Sequence, residues 1–346
     1  MIKKLLNGFK EKLQYATKPN SYVHQNTIDI LYDSQSKTNK LKFFFWKIIN
    51  VINFLFSSLL TYLIIFYEKF FSKKINNKEF FLRKKNSNKC IIFGNAPSIN
   101  EFDTNLIDNS FSTFGCNSFY LTDLSKKIDL DYYSSLNTSW LEYIDLHQDE
   151  NTDLDKVLMK IGKQFSKTKF IFPENYTSKK FKDLIKKNIK YSYFFNFSSL
   201  SPLNYFPEKI KFNSHIPHAA DVSQLNLILA KSLGFTEIYI EGVEYPFEHN
   251  LLEGYLRASD TNKTGSEIER NAFGIKSYLT KDSKLMEKKR KELYDKHEGS
   301  FFNYFWWLWF RSSNFFYLYD KFKKKGINIY RTSEAGTLDF IPVKKL

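Results

Sequence analysis

Beyond residue 88 short apolar runs alternate with amphipathic stretches, the pattern of a parallel sheet whose strands are joined by crossover helices. The runs predict strands at Cys90–Gly94, Ser112–Cys116, Asp131–Leu136, Lys169–Pro173, Tyr191–Phe195, Glu237–Gly242 and Ile327–Arg331. Helices are predicted over Lys179–Lys187, Ala220–Leu233 and Asn314–Lys325. In the second helix Val222, Leu225, Leu229 and Leu233 recur at helical spacing, and Gly234 suits a left-handed cap. A buried strand follows directly, so a helix feeds a parallel strand. The pattern predicts an α/β class, a Rossmann-like and mostly parallel sheet with helices on both faces. Residues 89–346 would form this domain, with an insertion or lid at about 246–300, where charges are frequent and aliphatic runs scarce.

Residues 1–88 read differently, as a basic region around an apolar segment. Ile48 to Tyr67 is free of formal charge and is flanked by Lys42, Lys47, Lys69, Lys73 and Lys74. A helix of about 20 residues is long enough to cross a hydrocarbon core. Asn50, Asn53, Ser57, Ser58 and Thr61 dilute its hydrophobicity, so an interfacial helix stays an alternative. With basic residues on both flanks, the positive-inside rule sets no orientation. A second aromatic stretch, Phe301 to Tyr319, carries Trp306, Trp307, Trp309 and Phe310 beside Arg311. It reads either as an interfacial aromatic belt or as a helix packed on the sheet.

Charge supports a membrane surface as partner. The chain has 52 Lys and Arg against 37 Asp and Glu, and residues 1–90 hold 17 against 5, so +12 of the net +15 lies there. Positive charge gathered around an apolar segment, with a nearly neutral remainder, argues against nucleic acid. Two cysteines, Cys90 and Cys116, are too few for a disulfide framework, and no Cys/His cluster has zinc spacing. A reducing compartment and no structural metal are expected.

The candidate chemistry begins where the first strand ends, in Gly94, Asn95, Ala96, Pro97 and Ser98. A strand running into a Gly-containing turn can bring backbone N–H groups against a phosphate or ribose. The turn is neither a G-x-G-x-x-G fingerprint nor a Walker loop. Asn117, followed by Ser118, comes after the second strand and Asn137 after the third, which would place three Asn-bearing loops at the sheet's carboxyl edge. An amide both donates and accepts, so it can read a base or ribose without adding charge beside a phosphate.

The runs I-I-F-G-N-A-P-S-I, F-G-C-N-S-F-Y and L-N-T-S resemble the sialyltransferases of glycosyltransferase family 42, and A-K-S-L-G-F-T-E-I-Y-I-E-G-V-E-Y resembles that family's helix and strand. The resemblance covers about 90–245 and, more weakly, 326–340. It implies transfer of sialic acid or a related acidic sugar from a CMP-activated donor to a surface glycan acceptor, with inversion, without a metal ion and without a further cofactor. Gly94, Asn95, Pro97, Ser98, Asn117, Ser118 and Asn137 would hold the nucleotide. A histidine would act as base: His297 occupies the family's general region at a longer spacing to the last strand, and His249 is the competitor. Tyr245 and Tyr255 are the nearest counterparts of the phosphate-facing tyrosines, with Pro246 standing where the first is expected. His218, Asp221, Ser223 and Glu244 are secondary donor-binding candidates; Asp221 also suits a helix cap, and Glu244 a structural partner. Thr332 and Ser333 are further candidates at the same edge. The implied location is the cytoplasmic face of a bacterial inner membrane, monotopic or single-pass, and a homo-oligomer stays open.

Two other readings remain. The opening turn is also similar to that of the 6-hydroxymethylpterin diphosphokinase-like family, whose pyrophosphoryl transfer requires acidic magnesium ligands near the strand ends. The stretch Ser134 to Ser139 offers Asn137 and no acid. A catalytically degenerate nucleotide-binding protein at the membrane is the nonenzymatic alternative.

Overall fold

A computed structural model describes residues 77–82, 87–135, 154–174, 177–198, 216–217, 221–243, 269–272, 275–278, 314–334 and 338–346, with Ile48, Ile52, Phe56, Leu63, Phe66, Tyr67 and Phe70. Seven strands form one sheet: β1 Lys89–Phe93, β2 Ser112–Cys116, β3 Tyr132–Ser134, β4 Lys169–Pro173, β5 Ser192–Phe195, β8 Glu237–Glu241 and β11 Asn328–Arg331. Short pairs lie outside it, β6 Phe197–Ser198 with β7 Ile216–Pro217, and the antiparallel β9 Glu269–Ala272 with β10 Ile275–Tyr278. The sheet order is β11-β8-β1-β2-β3-β4-β5, and every pairing in it is parallel.

Each predicted strand is present: β2 and β4 have the predicted bounds, β1 is shifted by one residue, β5, β8 and β11 are one residue shorter, and β3 is three residues shorter. The predicted helices are present as α2 Lys179–Asn188, α3 Val222–Ser232 and α4 314–323. A further helix, α1 Leu154–Gln164, was not anticipated: its apolar positions Leu158 and Ile161 are buried among many lysines that obscure the periodicity. The β9–β10 pair falls inside the segment expected to be an insertion, and the pattern gave no sign of it.

Helices cover both faces. On one, α3 and α4 lay Leu225, Leu229, Phe315, Leu318 and Phe322 against Cys90, Ile92, Phe114, Tyr132 and Ile240. On the other, α1 and α2 lay Leu158, Ile161, Phe181 and Ile185 against Ile91, Tyr133, Phe170 and Tyr239. With few alanines available, stacked rings fill the interior. Phe114 stacks on Tyr132 at 4.6 Å and Tyr133 on Phe170 at 5.0 Å, each across a pair of adjacent strands. Such contacts add to what burial alone contributes.

Both α3 and α4 end in a Schellman turn that aims the chain back into the sheet. Gly234 (φ 88°) donates to the Lys231 carbonyl while Phe235 N donates to Ala230, and Gly326 (φ 71°) repeats this with Lys323 and with Ile327 on Phe322. The left-handed cap predicted at Gly234 is thus present, and β8 and β11 follow from equivalent exits.

The core also reaches back before Asn88. Phe80 is fully buried against Tyr132, Tyr193 and Phe195, and Asn77 Nδ2 donates to the Phe194 carbonyl at 2.6 Å. Lys169 Nζ donates to the carbonyls of Glu79, Phe80 and Leu82, satisfying the end of the 3-10 turn Lys78–Phe81. Residues 77–82 therefore pack as part of the α/β unit. Further upstream, the seven described residues between Ile48 and Phe70 are helical and 40–66% exposed. Among the described residues no helix is long and apolar enough to cross a membrane.

The α1–α2 contact supplies a test of packing against propensity. A Cβ on Gly162 of α1 would lie 2.0 Å from the Asn188 carbonyl oxygen at the end of α2. In an open helix Gly→Ala gains about 1 kcal/mol, whereas forced overpacking costs about 1–3 kcal/mol. Gly162→Ala is expected to lower the melting temperature by several degrees; a rise would show that the helices do not meet there.

Candidate functional site

The strand order reverses between β1 and β8: from β1 the chain moves outward through β2 to β5, then returns to β8 on the other side of β1 and continues to β11. The carboxyl ends flanking such a reversal form the natural crevice of an open α/β sheet. The turn Gly94–Ser98 lies there.

The turn is pinned by main chain on both sides of Asn95. Gly94 N donates to the Glu241 carbonyl at 2.8 Å and Ala96 N to the Gly242 carbonyl at 3.0 Å. Glycine at 94 is a steric requirement, because a Cβ there would sit 2.0 Å from the Gly242 carbonyl oxygen. Gly242 itself has φ 69°, a conformation that suits glycine. Between these anchors, both amide atoms of Asn95 are buried and have no hydrogen-bond partner among the described residues. Leaving a buried donor and acceptor unpaired costs roughly 1–3 kcal/mol each, a cost that a polar ligand would remove.

Beneath the turn lies a carboxylate that the sequence reading did not single out. Glu241, the last residue of β8, is 3% exposed. Its Oε1 accepts from Ser98 Oγ at 2.5 Å and from Gly242 N at 3.1 Å, and its Oε2 accepts from Thr332 Oγ1. Thr332 follows β11, and its N–H donates to the Ile240 carbonyl at 3.2 Å. The carboxylate thus joins the ends of three adjacent strands. The acid that the sequence offers as a donor-binding candidate is Glu244, but β8 ends at Glu241 and Glu244 lies outside the described residues. The visible signal was E-G, an acid immediately before a glycine that a strand end requires.

At the end of β2, Asn117 takes a left-handed backbone, φ 47°, the one non-glycine residue with positive φ among those described. Asparagine tolerates this region better than most residues, and strain of this kind collects at functional sites. The conformation is held from behind: the Tyr133 hydroxyl donates to the Asn117 carbonyl, and Tyr120 N donates to that hydroxyl oxygen at 3.3 Å. Burial pushes the Tyr133 hydroxyl well above its ordinary pKa, with the nearby Cys116 thiol adding to the shift. It remains a neutral donor.

Of the other sequence candidates, Asp221 caps α3. It accepts from Gln224 N at 2.9 Å and Gln224 Nε2 at 3.1 Å, and the Ser223 hydroxyl also donates to it. Both residues are buried and engaged in that cap. Ser333 is half-buried beside Thr332 at the carboxyl edge. Pro97 and Ser118 lie in the 3-10 turns Pro97–Glu101 and Asn117–Leu121 that follow β1 and β2. Asn137, His218, Glu244, Tyr245, His249, Tyr255 and His297 lie outside the described residues. The carboxyl edge also holds Asn226 of α3, fully buried: its Oδ1 accepts from Ser134 Oγ at the end of β3, and its Nδ2 has no partner among the described residues. Among the described residues no group of three or more His, Cys, Asp or Glu is placed to hold a metal ion.

No family model matches the chain, and no curated protein matches it. Among solved structures, the sialyltransferase CstII from Campylobacter jejuni in complex with cytidine-5'-monophosphate is 19% identical, covering 75% of this chain and 86% of that one at a TM-score of 0.35. Sialyltransferase CST-II in complex with trisaccharide acceptor and CMP is 18% identical, with 74% and 85% covered and a TM-score of 0.37. The monofunctional alpha-2,3-sialyltransferase Cst-I from Campylobacter jejuni is 14% identical, with 75% and 82% covered and a TM-score of 0.35. Likenesses at these identities and scores assign neither a family nor an activity.

Proposed function

We propose that the chain is a glycosyltransferase that takes an acidic sugar of the sialic acid kind from a CMP-activated donor to a glycan acceptor, with inversion and without a metal ion. The observation that carries the reading is the Asn95 amide, buried and unpaired in a turn fixed on both sides at the switch point of the sheet. An amide held in this way suits a ligand that presents donors and acceptors close together, as a ribose or pyrimidine does. Asn117 at the neighbouring strand end, with its unusual backbone, supports the same reading. The choice of cytidine rests on the resemblance of the sequence around Asn95, Asn117 and Asn137 to the sialyltransferases of glycosyltransferase family 42.

In the proposed reaction a histidine, His297 or in its place His249, accepts the proton of an acceptor hydroxyl. That oxygen bonds to the anomeric carbon from the face opposite the phosphate, the bond to the phosphate oxygen breaks, and CMP departs with the electron pair. Tyr245 and Tyr255 would stabilise the departing phosphate.

The helical residues near the N-terminus suggest where the enzyme works. Ile48, Ile52, Phe56, Leu63, Phe66, Tyr67 and Phe70 are all apolar or aromatic, and each of these side chains is exposed. Exposed apolar side chains inside a basic segment fit the surface of an anionic bilayer. The proposed site of action is therefore a lipid surface, at the cytoplasmic face of a bacterial inner membrane.

Calorimetry with CMP, CDP, UDP, GDP and ATP, each with and without magnesium, tests the nucleotide. Preference for CMP, unaffected by magnesium, is expected; magnesium-dependent ATP binding would instead support the pyrophosphoryl-transfer reading. With a CMP-sugar donor, His297→Ala is expected to cut transfer by at least about a hundredfold while keeping CMP affinity, and full activity would remove His297 as the base. A wild-type protein that binds CMP but transfers no sugar would favour the degenerate binding protein. For the membrane, sedimentation with vesicles containing anionic lipid should capture the wild type and release it as salt rises. Phe66→Glu should weaken capture, and equal binding by that variant would contradict the proposed contact.

A further inference from the structure

We infer that Glu241 is the positioning residue of the nucleotide turn: its carboxylate locks Ser98 and Thr332 to the end of β8 and so fixes the Asn95 amide for the ligand. This rests on the nucleotide-binding reading above. The fold alone does not need an acid at the end of β8. A buried carboxylate is costly unless its oxygens are satisfied, and here two hydroxyls and one backbone N–H satisfy them. Among the described residues no cation pairs with it. Glu241 thus exchanges solvation for contacts with three separate strand ends. Two of the three donors, Ser98 and Thr332, belong to segments that border the crevice and come from opposite neighbours in the sheet, β1 and β11.

The path to Asn95 is short. Asn95 sits between Gly94 and Ala96, whose N–H groups are held by the carbonyls of Glu241 and Gly242. Ser98, two residues beyond Ala96, is held by the Glu241 side chain. One residue of β8 therefore grips the turn at both ends, through its carbonyl on one side of Asn95 and its carboxylate on the other. An unpaired amide can meet a ligand at low entropic cost only when its backbone is already fixed. Without the carboxylate, the Ser98 end of the turn loses its hydrogen bond to β8 while the Gly94 end keeps its own.

The test is a double-mutant cycle read by calorimetry with CMP. Glu241→Gln keeps the size of the side chain but removes the charge to which the Ser98 and Thr332 hydroxyls and the Gly242 N–H donate; it is expected to weaken CMP binding about tenfold, the scale of one lost hydrogen bond to a charged group. Asn95→Ala should weaken it at least as much. If Glu241 acts through Asn95, adding Glu241→Gln to Asn95→Ala changes affinity by less than about twofold, whereas independent effects would multiply. Milder variants guard against unfolding: Thr332→Val should lose affinity about threefold while Thr332→Ser, which keeps the hydroxyl, retains it. Multiplying losses in the cycle, or unchanged CMP affinity in Glu241→Gln, would overturn the assignment. Failure of the wild type to bind any cytidine nucleotide would instead defeat the functional reading on which it rests.

Discussion

The contact between the carboxyl ends of β1 and β8 shapes the candidate site around it. A side chain at 94 would collide with the Gly242 carbonyl, so the two strand ends can touch only because neither contributes a Cβ at the contact. Once they touch, the main chain of β8 takes up Gly94 and Ala96, and its last side chain takes up Ser98 and Thr332. The turn is thus built from outside itself. A loop held this way arrives at the ligand with its conformational entropy already lost, which lowers what binding must supply.

The rest of the molecule supports that approach. Parallel strands bring every strand end to the same edge, and helices on both faces bury the apolar sides that would otherwise be exposed. The many phenylalanines, which reflect the chain's compositional bias, nevertheless pack with tyrosines in ordered ring stacks, between β2 and β3, between β3 and β4 and along β4. Tyr133 shows how core and site connect: its ring stacks in the sheet, and its hydroxyl braces the strained carbonyl of Asn117.

Much of this was legible in the sequence. Buried parallel strands are continuous apolar runs, so all seven could be read, and the cap glycine at 234 marked where α3 hands over to β8. The α1 helix was hidden because lysines fill its outer face and dilute the period that betrays a helix. At the site, Gly94, Asn95 and Asn117 were legible because asparagine and glycine after an apolar run have few structural excuses. Glu241 was not, because a buried acid looks like any strand-terminal charge until Ser98 and Thr332, far away in sequence, are seen to meet it. Asn226 was missed for the same reason: inside an apolar helical period it signals nothing, and only its place against Ser134 gives it meaning. Asp221 had two readings in the sequence, and its contacts are those of a helix cap.

The central claim is that the buried amide of Asn95 meets a cytidine nucleotide. The most direct measurement follows the side-chain N–H2 resonances of Asn95 by NMR in 15N-labelled protein, assigned by their loss in Asn95→Ala, during titration with CMP in the absence of magnesium. The account predicts that these resonances shift and saturate together with binding. Saturable CMP binding that leaves them unmoved would contradict it, since the nucleotide would then be held elsewhere on the protein.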